Sequence, residues 1–367
     1  MSHIEEEAFH PGGYLKDELD TREWTQTELA EMIGRPLRVV NQIIAGKAGI
    51  TAQTAQQLAA AFGTSAELWM NLQSQYDLAN TEINQAEIAD KAKFRETFPF
   101  YQEMVKRGWI QAVNDITART RAMRQWFERS PVFAAKTQAA LYGDYPLVQQ
   151  AWVMRARAIT EKMPVPTTFD AACKAPLLAQ LETMLDDEAR VAEVATLLPS
   201  YGIRLLYLQA LKGAKIDGAC FWLDEENPVI AMSLRLDRID NFWFVLRHEL
   251  EHVFNGDGQS AETVDDPQIL QREDTENLPA HEQQANAAAA DFCVPQAALQ
   301  AYCARYGGNV FQTSALETFA RDVRRHKGLI VGQLQHQTGQ WKMQRRVLTP
   351  VGAIARANPA YCEGWDM

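Results

Sequence analysis

The stretch Phe242-Trp243-Phe244-Val245-Leu246-Arg247-His248-Glu249-Leu250-Glu251-His252 decides how the C-terminal half is read. It is an apolar run too long for an ordinary strand and suited to a buried helix. At ~3.6 residues per turn, His248 and His252 lie one turn apart on one face, the separation from which two imidazoles can hold a tetrahedral zinc. Glu249, beside the first histidine, can take a proton from water at the metal without being a ligand. That is the equipment of a hydrolase. The same short pattern also arises on ordinary amphipathic helices, so a third ligand has to decide between the two.

The longer pattern with a further Gly and His is excluded, because Asn255 and Gly258 stand where those residues would be. Downstream, Leu278-Pro279-Ala280-His281-Glu282-Gln283-Gln284-Ala285-Asn286 opens a second, alanine-rich helix after a proline, closed by Pro295. Glu282 there can complete the metal shell, and Asn286, one turn on, can hydrogen-bond a ligating imidazole and fix its tautomer. His281 points about 100° away from Glu282 and competes as ligand only if the helix starts later. Glu282 is preferred. Ala285, Ala288 and Ala289 suit close packing against the first helix. Upstream, 202–208, 219–223 and 228–234 read as short strands, the last two joined as a hairpin through 224–227. An edge of this sheet could pair with an extended peptide.

Working outward, 367 residues argue for two or three domains, and 47% apolar with 23% charged residues is ordinary globular usage. No apolar run is long enough to span a bilayer, and the start MSHIEEEAFH lacks a secretion signal, so a cytoplasmic protein without membrane contact is expected. The five cysteines are scattered and form no C-x-x-C pair, which argues against a disulfide scaffold or a cysteine zinc site. A net charge of -11 excludes indiscriminate nucleic-acid binding. Any basic face must be local.

One such face lies between Glu31 and Glu67, where Arg35, Arg38 and Lys47 meet no acid. Gln26 to Gly34 reads as a short helix with Thr25 as N-cap and Leu29, Met32 and Ile33 as its apolar stripe. A second helix takes Pro36 as its first residue and buries Val39, Val40, Ile43 and Ile44. Arg38, Asn41 and Gln42 stay outside, the side-chain types that pair with base edges in a major groove, while Lys47 suits a phosphate. A plain helical hairpin would show the same spacing.

The motifs Phe9-His10-Pro11-Gly12, TQTELAEMIG, NQIIAGKAGIT and FGTSAELWMNLQ resemble phage-repressor-type (XRE) domains, specifically HigA-type antitoxins, over about residues 9 to 78. The resemblance implies that Gln26 lies near a phosphate and that Leu37, Arg38, Asn41 and Gln42 face bases. It also implies a homodimer on double-stranded operator DNA with an inverted repeat. Pro36 departs from the pattern, since Ser or Thr is usual there and an N-cap hydroxyl is lost. The order strand, hairpin, metal helix, Glu helix, with EQQANAAAADFCVP and FARDVRRHKGLIVGQLQHQTGQ, resembles the ImmA/IrrE zinc metallopeptidases over about 200 to 340. Here the departures are Gln and Ala around Asn286 and a long loop, 257–277. The resemblance implies His248, His252 and Glu282 as zinc ligands, Glu249 as general acid/base, and a protein or peptide substrate such as a repressor.

The expected architecture is a mainly α, multidomain chain. It comprises an all-α helix-turn-helix domain (1–80), a helical connector (81–165), an α+β gluzincin-like metallopeptidase core with a small sheet (166–300) and a basic helical closing region (301–367). Between Ala301 and Pro350 eight basic residues face two acids, which fits a DNA contact, a solvated face or an internal partner for acids. His326 and His336 read as surface or core histidines. The function expected is a transcriptional regulator of antitoxin type with a zinc endopeptidase that cleaves itself or a repressor-like or toxin partner. Two alternatives stay open: a non-catalytic regulator whose metal domain only senses a ligand or partner, and a peptidase-domain toxin restrained by its own helix-turn-helix.

Overall fold

The computed structural model describes residues 9–128, 146–257, 259, 263–264 and 278–365. Gly258 and most of the loop 257–277 lie outside the described residues. The chain divides into two compact units, Met1–Ala89 and Asp90–Met367.

The first unit is a set of short helices, α1 (Pro11–Thr21), α2 (Gln26–Met32), α3 (Leu37–Ile44), α4 (Ala52–Phe62) and α5 (Ala66–Asn80). Hydroxyl caps start three of them: Thr25, Thr51 and Ser65 each accept a hydrogen bond from a backbone N–H of the first turn. Thr25 and Glu28 cap each other reciprocally, which holds the exposed Glu28 carboxyl below its ordinary pKa through hydrogen bonds from the Thr25 backbone and hydroxyl. Leu15, Leu29, Val40, Ile43, Leu58 and Trp69 form the core. Two expectations need correction. Met32 is 53% exposed, because Leu29 and Ile33, four apart, take the inward stripe and leave Met32 beside it. Pro36 is the N-cap of α3 and Leu37 its first residue; no side-chain hydrogen bond caps this helix.

The second unit is built on a mixed sheet ordered β4-β2-β3-β1-β5. Its strands are β1 (Arg204–Leu208), β2 (Gly218–Trp222), β3 (Pro228–Met232), β4 (Thr263–Val264) and β5 (Cys362–Glu363). β1 runs parallel to β3 and β5, whereas β2 is antiparallel to both β3 and β4. The hairpin closes with Leu223 N–H donating to Asn227 O at 3.0 Å.

The central strands are buried on both faces, and their alternation assigns each face a partner. Leu205, Tyr207, Cys220, Trp222, Ile230 and Met232 belong to one core cluster. Packed there are α10 (Lys174–Glu182), α11 (Val194–Ser200), α12 (Ile239–Asn255), α13 (Ala280–Cys293), α14 (Gln296–Tyr306), α15 (Thr313–Val323) and α16 (Lys327–Thr338). Leu206, Leu208, Ala219, Phe221, Val229 and Ala231 belong to the other cluster, together with Phe94, Met104, Met123, Phe127 and Trp152. Those five residues come from α6 (Gln85–Thr97), α7 (Tyr101–Lys106), α8 (Ile116–Glu128) and α9 (Leu147–Thr160). Within the stretch expected as a connector, the described residues from Phe94 onward form the second helical layer of the sheet. Trp152 Nε1 donates to Leu208 O at 3.0 Å, tying α9 to β1.

α12 is the central helix of its layer. It buries Phe242, Trp243, Val245, Leu246, Leu250 and Val253, each contributing roughly 1.5–3 kcal/mol. α16 crosses it closely at Gly328, where an added Cβ would fall 2.5 Å from Ile239 Cγ2 and 2.7 Å from Val347 O. Among the described residues, no helix is long and apolar enough to cross a membrane. Gly328→Ala should destabilise the second unit by about 1–3 kcal/mol through overpacking, read as a lowered unfolding midpoint. An unchanged midpoint would show that α16 can shift freely.

Candidate functional site

In the first unit α2 and α3 form the helix-turn-helix. α3 carries Leu37, Arg38 and Asn41 exposed and Gln42 half-buried, while Val40 and Ile43 face the core. Gln26 is half-buried at the start of α2, and Lys47 is exposed just after α3, its N–H donating to Gln42 O at 2.8 Å. Arg35 is less free than its neighbours, because its Nε donates to Gln57 Oε1 at 2.9 Å and Gln57 Nε2 donates to Ile33 O at 2.8 Å. Gln57 therefore links the turn to α4, a role that an isolated glutamine in sequence does not announce.

In the second unit, α12 and α13 bring His248, His252 and Glu282 together. The two Nε2 atoms are 3.0 Å apart; Glu282 Oε2 lies 3.4 Å from His248 Nε2 and Oε1 lies 3.6 Å from His252 Nε2. All three residues are buried, and one donor atom from each falls within 4.8 Å of the others, an arrangement that could hold a metal ion. Pro279 caps α13, so Glu282 sits in its first turn and points inward. His281 turns outward at 47% side-chain exposure, 3.4 Å from Glu282 Oε1, and is not part of the three-residue cluster. The small Ala285 and Ala289 are fully buried along α13, with Ala288 partly so.

Glu249 is fully buried and faces β2. A Cβ at Gly218 would fall 2.1 Å from Glu249 Oε1 and 2.9 Å from Val245 Cγ1, so the carboxylate lies directly against strand backbone. The imidazole orientation expected from Asn286 is provided differently. Asp257 Oδ2 lies 2.9 Å from His252 Nδ1, while Asn286 Oδ1 is buried without a hydrogen-bond partner among the described residues. Asp257 becomes available because α12 ends at Gly256 and the chain turns back across the helix end.

Behind the cluster, Glu251 is buried but matched: Arg247 Nη2 donates to it at 2.8 Å, Lys174 Nζ at 3.1 Å and Gln284 Nε2 at 3.2 Å. Burial pushes the Glu251 carboxyl up, but the hydrogen bonds and charges of Arg247 and Lys174 outweigh it and hold its pKa below the ordinary value. Sequence reasoning missed Gly218, Asp257 and Glu251. Only the acid at helical spacing from Arg247 carried a signal in advance.

The basic C-terminal region is partly neutralised from within. Arg325 is buried against Glu182 at 2.6 Å, and Lys327 pairs with Glu317 at 3.2 Å. His326 accepts from Gly328 N–H as the cap of α16 and lies 3.0 Å from Glu188; burial holds its pKa below the ordinary value against that carboxylate's pull. His336 sets its ring edge-on to Trp341.

Comparison with known proteins follows the same division. Residues 15–69 match the family described as Helix-turn-helix, and residues 200–324 match the IrrE N-terminal-like domain of the peptidase M78 group. Virulence-associated protein I of Dichelobacter nodosus is 35% identical over 82 residues, covering 22% of this chain and 76% of the relative. An uncharacterised HTH-type transcriptional regulator, YddM, of Escherichia coli K12 is 29% identical over 72 residues, 20% of this chain and 77% of the relative. Among solved structures, an addiction module antidote protein of the HigA family from Coxiella burnetii is 34% identical, covers 24% of this chain and 92% of its own, and has a TM-score of 0.19. The Pseudomonas aeruginosa antitoxin HigA with the higBA promoter is 36% identical, with 24% and 92% covered and a TM-score of 0.19. The first unit of this chain carries an XRE-type helix-turn-helix domain, and the second carries an IrrE/ImmA-like domain of the peptidase M78 family.

Proposed function

We propose that the protein is an operator-binding regulator that couples DNA occupancy to cleavage, by its own zinc endopeptidase domain, of itself or of a repressor-like or toxin partner. The observation that carries the peptidase half is the convergence of His248, His252 and Glu282 beside the buried Glu249. Two imidazole nitrogens and a carboxylate oxygen are donors that zinc takes in catalytic sites, with a fourth position left open, so the residues present fit that ion. When bound, zinc would supply Lewis acidity at a peptide carbonyl and activate water. His248, His252 and Glu282 would hold it. Asp257, by accepting from His252 Nδ1–H, leaves Nε2 as the lone-pair donor facing the cluster. Glu249 takes the proton from the attacking water and delivers it to the departing amine nitrogen, balancing the hydrolysis.

The DNA half is supported by the helix-turn-helix match and by the exposed face of α3. Arg38, Asn41 and Gln42, with Leu37 for apolar contact, read bases in a major groove; Gln26 and Lys47 take phosphates. Arg35, held by Gln57, stands beside the turn as a further phosphate contact. A homodimer on an inverted repeat, in the cytoplasm, completes the reading.

Elemental analysis should return about one zinc per chain, lost in Glu282→Ala, while Asp257→Ala weakens the affinity roughly 10- to 100-fold. A zinc-free protein after supplementation at neutral pH would reduce the second unit to a scaffold. Glu249→Gln should keep its zinc and lose roughly 10²–10⁴-fold in cleavage rate, measured on partner proteins accumulating in the variant. Unchanged cleavage would remove Glu249 from the chemistry. Arg38→Ala and Asn41→Ala should each weaken operator binding by about 1–3 kcal/mol in a salt-dependent titration against the protein's own upstream region. Binding that ignores salt, or both substitutions, would defeat the operator assignment.

A further inference from the structure

His281 stands beside the candidate metal site without belonging to the three-residue cluster. It lies in the first turn of α13, next to Glu282 in the chain, and a helix sends neighbouring side chains about 100° apart. Its imidazole nevertheless bends back toward the cluster. Nε2 lies 3.4 Å from Glu282 Oε1, the oxygen that also faces His252 Nε2 at 3.6 Å, and the His281 and His252 ring centres are 5.9 Å apart at 67°. The cluster side chains are at most 6% exposed, whereas that of His281 is 47% exposed. Of these four side chains, it is the one that solvent reaches.

We propose that His281 is a catalytic residue of this site: its Nε2–H donates to the carbonyl oxygen of the scissile peptide and stabilises the negative charge that builds there as water attacks. This inference rests on the peptidase reading above. Attack on a peptide carbonyl moves electron density onto its oxygen, and a donor already held in place does more for that charge than one recruited from water. The carboxylates beside the cluster do different work. Glu249, against the β2 backbone at Gly218, carries the proton, and Asp257 accepts from His252 Nδ1 at 2.9 Å. Neither ionised carboxylate has a proton to donate. The negative Glu282 oxygen beside His281 Nε2 favours the tautomer with the proton there. His281 keeps that proton throughout: the water proton passes to Glu249 and on to the amine nitrogen, so the hydrolysis stays balanced. Its place outside the cluster suits a donor, because a fourth protein ligand would fill the position that a catalytic site leaves open.

Two probes with the same phenyl group separate a donor from a ligand on the zinc-loaded full chain. Phenylphosphonate brings tetrahedral anionic oxygens, one for the metal and one to accept from His281, whereas thiophenol brings a single sulfur to the metal and no oxygen. By calorimetry, His281→Ala should weaken phenylphosphonate on the order of 10- to 100-fold while thiophenol stays within about twofold. The variant should keep about one zinc per chain, and its cobalt-substituted form should show the visible spectrum of the unmodified protein. His281→Gln, which carries an amide N–H, should regain much of the lost phosphonate affinity, a recovery that mere disturbance of the fold would not give. Equal phosphonate affinity in His281→Ala and the unmodified chain, or a matching loss of both probes, overturns the donor and leaves the metal site standing. Lost zinc or an altered cobalt spectrum makes His281 a ligand or a prop for Glu282 and overturns the donor as well. If neither probe binds the unmodified chain, the peptidase reading fails, and the donor with it.

Discussion

Four ionisable side chains, His248, Glu249, His252 and Glu282, lie inside an apolar interior, and much of the second unit is arranged around that fact. A lone carboxylate in such surroundings costs several kcal/mol unless opposite charge or hydrogen bonds offset it. Further polar groups gather around them: Arg247 of α12, Gln284 of α13 and Lys174 of α10 surround the neighbouring Glu251, and Asp257 closes over His252. Alanines on α13 let the helices approach closely enough for imidazoles on one to meet a carboxylate on the other. Packing and chemistry are the same contact here.

The sheet sets the second constraint. Strands with apolar residues on both faces require two covering layers, and only one of them could come from the metal-site helices. The other is recruited from residues 94–128 and 146–160, which precede the sheet in the chain and contain no recognisable motif. Arg155 and Trp109 in that layer bind Glu363 on β5, at 2.6–2.8 Å and 2.7 Å respectively, so the far end of the chain is clasped by its middle.

What could be read in the sequence follows from where the signals are local. Helix α12 and its one-turn histidine spacing, the carboxylate of α13 after a proline, the Thr25 cap and the 224–227 hairpin are all written within a few residues. Asp257 is different: acids are common after a helix, and only the turn at Gly256 brings this one to His252. Gly218 gives no sign in sequence that a carboxylate lies against it. β4 and β5 are too short for alternation to show, and their partners are distant in the chain. The covering layer was legible in principle, since unbroken apolar runs such as Ala219-Cys220-Phe221-Trp222 have no wet face. Helical periodicity between residues 94 and 160 gave the helices but not their destination.

The pairing of β5 with β1 also orders events during synthesis. Tyr207 and Leu208 meet Cys362 and Glu363, so the sheet is open along that edge until residue 363 has emerged from the ribosome. The first unit has all its core partners within Met1–Ala89 and needs nothing made later. A nascent chain thus possesses a complete DNA-reading fold long before the edge of its second unit can be closed. The helix-turn-helix unit is complete first, and the sheet of the second unit gains this edge only when residues 362–363 have been made.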